Sequence, residues 1–147
     1  MRIRFFMLVL LIAISLAGCI QWEEDGENSP VKAIDEYDKF KDVKIYGSHQ
    51  VANDLTLVVL EGTYTQKGIW VAEVHFIEKD NRWKVNNITH LMEPNENWSP
   101  FEIMLESDEG YRVGFLKSDS KNKEIEKVDK VINIESYDNW KVWIQKN

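Results

Sequence analysis

Leu55-Thr56-Leu57-Val58-Val59-Leu60 decides the fold. It is apolar at odd and even positions alike, apart from Thr56, which predicts a strand with cover on both faces. Turn residues bracket it, Asn53-Asp54 before and Gln66-Lys67-Gly68 after. Outward from this run the pattern repeats: segments rich in Val, Ile, Thr, Trp, Tyr and Phe, separated by Gly, Asn and Asp. Strands are expected near 43–51, 55–65, 69–78 and 82–92, with a further turn at Asp80-Asn81. Beyond the proline-flanked loop Glu93–Pro100, which divides the body in two, strands are expected near 101–105, 111–117, 124–128, 131–136 and 140–145. Asp80-Asn81-Arg82-Trp83-Lys84-Val85 is echoed by Asp138-Asn139-Trp140-Lys141-Val142, which reads as a recurring turn followed by a strand that opens on tryptophan.

One helix is expected before the strands. Ser29 can cap free backbone N–H groups, and Pro30 at the first helical position loses no hydrogen bond. Ala33, Ile34, Tyr37 and Phe40 then recur at spacings of three and four, opposite Lys32, Asp35, Glu36 and Asp38. The expected class is α+β: one N-terminal amphipathic helix packed on a largely antiparallel meander, in a single β-rich domain over 29–147.

The first residues have a different character. Arg2 and Arg4 precede an apolar run from Phe5 to Leu16, too short to cross roughly 30 Å of hydrocarbon as a helix, which needs about 20 residues. Leu16-Ala17-Gly18-Cys19 follows directly and resembles the bacterial lipobox. That resemblance implies cleavage between Gly18 and Cys19, removal of 1–18, and acylation of Cys19. Two acyl chains anchor stably where one is marginal. The alternative is an ordinary secretory signal with Cys19 left as a free thiol. No cysteine remains for a disulfide, so the domain must be held by its core.

Residues 19–28 carry Glu23-Glu24-Asp25-Gly26-Glu27 without apolar periodicity and read as an acidic flexible stalk, with Trp22 suited to the head-group boundary. Loss of Arg2 and Arg4 takes 18 basic residues to 16, against 25 acidic, a net charge of -9. Such a domain lacks the basic surface that nucleic acid requires and is repelled by anionic head groups.

Residues that carry chemistry are sparse. His49, His75 and His90 lie far apart and no Cys-x-x-Cys occurs, so no metal or cofactor site is expected. Gly-x-Ser-x-Gly and glycine-rich phosphate loops are missing, so no catalytic residue is nominated. Glu73 and His75 share one strand face and could bind a metal or move a proton; a solvated polar face is the expectation. Trp70 and Trp83 alternate in phase with aliphatic residues and read as core, while Trp98, between prolines, is the candidate exposed contact.

From lipobox through stalk and helix to tryptophan-punctuated strands, the order resembles small uncharacterised lipoproteins of Bacillus-like bacteria. A helix followed by a meander also resembles cystatin-like and NTF2-like folds in shape alone. The resemblance implies a lipid-anchored protein on the extracytoplasmic face of the cell membrane. The function expected is non-enzymatic, the domain contacting another envelope protein; the alternative is a binder of a small ligand or wall glycan, in a pocket between helix and sheet or at the Trp98 loop.

Overall fold

A computed structural model describes residues 28–121 and 123–147, and these fold into two antiparallel sheets of four strands. The first sheet contains β1 (Lys41–Ala52), β2 (Leu55–Thr63), β3 (Lys67–Ile77) and β4 (Arg82–Met92), in sequence order. The second contains β5 (Phe101–Ser107), β6 (Tyr111–Lys117), β7 (Lys130–Asn133) and β8 (Trp140–Lys146), ordered β5-β6-β8-β7. Gly18, Cys19 and Trp22, with the rest of the expected signal and of the expected stalk up to residue 27, lie outside the described residues.

The expected α+β class is overturned. Helix α1 (Pro30–Asp35) has six residues, and the other helical pieces among the described residues are 3-10 turns at Glu78–Asp80 and Lys123–Lys127. Ser29 caps α1 by accepting from the Lys32 N–H at 3.1 Å, as its sequence predicts. The helix ends at Asp35 all the same, because Tyr37 and Phe40 find their apolar surroundings after the chain has left helical geometry. Phe40 lies edge-on to Trp70, with ring centroids 5.7 Å apart. A helix this short forms no layer of its own, and the main partner of the first sheet is the second sheet.

The alternation in β2 divides its side chains between two cores. Leu57 and Val59 face inward and share one buried cluster with Val71 of β3, Val113 and Phe115 of β6, and Val142 and Ile144 of β8. Val58 and Leu60 face outward and pack with Trp70, Ala72 and Val74 of β3 beneath Ala33, Ile34 and Phe40. The two-sided apolar run is therefore a central strand with a sheet on one face and the α1 segment on the other.

The meander also fails in the second sheet. After β6 the chain passes through 118–129, places β7 at the edge, and returns through β8 between β7 and β6. The strand expected near 124–128 is the 3-10 turn Lys123–Lys127. Loop 93–100 is the link between the sheets. Hairpin turns at Asn53-Asp54, 78–81 and 108–110 lie at one end of the sandwich, called the near end below. The turns at 64–66 and 134–139, and loop 93–100, lie at the far end.

Candidate functional site

The edges β1 and β7 run beside one another along one flank of the sandwich and leave an open groove of about 450 Å³ between them. Lys44, Ile45, Gly47 and Ser48 line one wall, and Lys130, Val131, Asn133 and Glu135 the other. Ile132 reaches across the floor towards Gly47, where a Cβ would stand at an ordinary packing distance of 3.4 Å from its side chain. Lys44 Nζ bonds Glu135 Oε2 at 2.5 Å across the far mouth. Both side chains are well exposed, so this pair adds little stability.

Behind that mouth a polar cluster ties the sheets together. Tyr46 donates to Glu61 Oε2 at 2.5 Å, Ser136 donates to the same oxygen, and Tyr46 and Ser136 oxygens are 2.7 Å apart. These bonds, from Ser136 first and Tyr46 second, hold the Glu61 carboxyl below its ordinary range. Burial, reinforced by Glu61, raises Tyr46. Burial also pushes Tyr137 up to about 12, reinforced by Glu93.

Tyr111 is raised as well, by burial and by the carboxylate it bonds. An unfolded chain ionises its tyrosines near the ordinary value of 10.0, while the folded chain keeps these three protonated. Their contribution is therefore complete below that value and is lost as pH rises through the folded values. The urea midpoint should hold steady to about pH 9 and fall steadily above about pH 10, less steeply in Tyr137→Phe. Equal slopes in the two proteins would remove Tyr137 from this account.

The residues singled out in the sequence scatter. Trp98 is half-buried rather than exposed: its ring packs 5.7 Å from Phe115 and 6.3 Å from Trp140, closing the far end of the inner core. Glu73 is not on a solvated face. It is 7% exposed and accepts the hydroxyl of Tyr111 from the opposite sheet. His75 Nε2 is buried without a hydrogen-bond partner, and no third ligand joins the pair; no group of three His, Cys, Asp or Glu fit to hold a metal occurs among the described residues. His49 is lowered by burial, with Asp129 and Lys130 as its charged neighbours. His90 is also lowered by burial, and lies against Gln66 and Trp70. The space between helix and sheet suggested for a ligand is filled by Ala33, Ile34 and Phe40.

Sequence reasoning missed the groove because the end of β1 and the start of β7 are 78 residues apart in the chain. The one local sign was Gly47 within an otherwise strand-like run. Comparison with family models, with curated proteins and with solved structures gives no match to this chain.

Proposed function

We propose that this protein is a lipid-anchored domain on the extracytoplasmic face of the cell membrane that contacts another envelope protein and catalyses no reaction. The lipobox-like Leu16-Ala17-Gly18-Cys19 supports the anchor. The observation that carries the contact is the β1–β7 groove, which is open along one flank and lined by aliphatic side chains and charges of both signs. A surface of that kind suits side-chain packing with a polar rim.

Backbone strand addition is disfavoured. β1 has register irregularities at 41/44, 45/47 and 50/52, together with a left-handed Asp42 at φ 53°, and β7 has only four residues. Bulges, short length and lysines at an edge are how sheets resist pairing. A second reading, a small ligand or wall glycan in the same groove, is favoured by its volume, which falls within the roughly 300–1,000 Å³ of ligand pockets.

The test is photocrosslinking in intact cells from Val131, which is 37% exposed in the groove, and from Glu36 as a control outside it. One protein adduct at Val131, lost in Lys44→Glu and missing at Glu36, is expected. No adduct, or the same adducts at both positions, overturns the contact. A shift in tryptophan fluorescence with wall fragments would instead favour the second reading. Cys19→Ser should release the protein from the membrane fraction; native protein at full unmodified mass in the non-membrane fraction would sink the anchor.

A further inference from the structure

We infer that the domain stands on the membrane by its near end, with the turns at 53–54, 78–81 and 108–110 toward the bilayer and the far mouth of the groove held outward. This rests on Cys19 being the lipid anchor. The point of attachment is defined by Asn28, whose side-chain amide donates to the Asn81 carbonyl at 2.8 Å and whose side-chain oxygen accepts from the Trp83 N–H at 3.2 Å. Both partners sit at the β3–β4 turn, so the chain enters the domain at the near end.

Reach decides between the two end-on orientations. Nine residue steps separate Cys19 from Asn28 and span at most about 30 Å. From Trp83 to Met92 strand β4 rises by about 30 Å, and loop 93–100 and the 64–66 turn lie at or beyond its end. An inverted domain would need a tether drawn fully straight along the whole sheet before it met a lipid. The upright domain needs only a fraction of that length.

The near-end turns carry Asp54, Glu78, Asp80, Asp108 and Glu109 against Lys79 and Arg82, so repulsion from anionic head groups holds that end off the bilayer by about a Debye length, about 8 Å at physiological salt, which is well within the reach of the tether. The far mouth, bridged by Lys44 and Glu135, then points away from the bilayer, where a second envelope protein can reach it.

The test uses the acylated full chain in vesicles of phosphatidylglycerol and phosphatidylethanolamine, with one dye on Lys79→Cys or on Thr65→Cys and an acceptor on the lipid head groups. Both positions are exposed turn residues, so neither substitution disturbs a core. Energy transfer from position 79 should exceed that from position 65 by about twofold or more, given an offset of roughly 30 Å along the strands. Equal or reversed transfer from acylated protein overturns the orientation and leaves the anchor standing. An unmodified mass at Cys19 overturns the anchor and the orientation with it.

Discussion

Gly114→Ala should destabilise the protein by about 3 kcal/mol or more, enough to lower its melting temperature by about 10 °C. Gly114 lies on β6 between Ile103 of β5 and Trp143 of β8, on the outer face of the second sheet. Trp143 is fully buried there, stacked on Phe101 with centroids 4.5 Å apart and planes 13° from parallel. A Cβ at position 114 would come 1.8 Å from the Glu102 carbonyl oxygen and 2.7 Å from the indole ring. The oxygen belongs to backbone paired with β6, so it cannot retreat without opening the β5–β6 ladder, where β5 already departs from regular register between Ile103 and Leu105.

Gly110→Ala is the control. Its φ of 83° penalises any side chain, but no atom lies within 4 Å of the added methyl, so only the conformational cost of about 1 kcal/mol applies. Thermal melts followed by circular dichroism separate the two. A Gly114→Ala protein that melts at or above Gly110→Ala would show that the sheet yields at this contact.

Gly114 illustrates which parts of the molecule were legible in its sequence. The strand over 111–117 is plain from Tyr-Arg-Val-Gly-Phe-Leu, but that its glycine admits a carbonyl and an indole depends on partners 12 and 29 residues away. Local alternation likewise placed the strands from 55 to 92, since each is bounded by its own turn residues. It misread 124–128, where Ile125 and Val128 are three apart: that spacing belongs to a 3-10 turn, and Val128 N–H bonds the Ile125 carbonyl at 3.3 Å.

It also extended the helix to Phe40, because residues three and four apart can reach one apolar surface by a turn followed by extended chain as well as by a helix. The second layer was the largest omission. Whether a half-apolar strand faces water or another sheet is not written in that strand, and the residues that cover β2 and β3 come from β6 and β8. Trp98 and Glu73 were misplaced for the same reason: a tryptophan between prolines has the composition of an exposed tip, and a carboxylate beside a histidine that of a wet face. Phe115, Trp140 and Tyr111 override both.

Tyr111→Phe should cost about 3 kcal/mol, more than the loss of one ordinary hydrogen bond, which contributes about 1 kcal/mol. Tyr111 is fully buried, and its hydroxyl donates to Glu73 across the interface of the two sheets. Phenylalanine keeps the ring and its packing, so the change is confined to one oxygen. What it leaves behind is a carboxylate, 7% exposed, without the donor that offsets its removal from water. Stranding one partner of a buried hydrogen bond costs more than exchanging both partners for apolar groups. Glu73→Gln should therefore be the milder change, because its amide oxygen still accepts from Tyr111. Glu73→Leu combined with Tyr111→Phe should recover much of the stability lost in Tyr111→Phe alone, since neither partner is then stranded. Urea denaturation of the native protein, Tyr111→Phe, Glu73→Leu and the double variant closes the cycle. A double variant less stable than Tyr111→Phe would mean that Glu73 has support beyond the tyrosine, and that the link between the sheets does not depend on this pair.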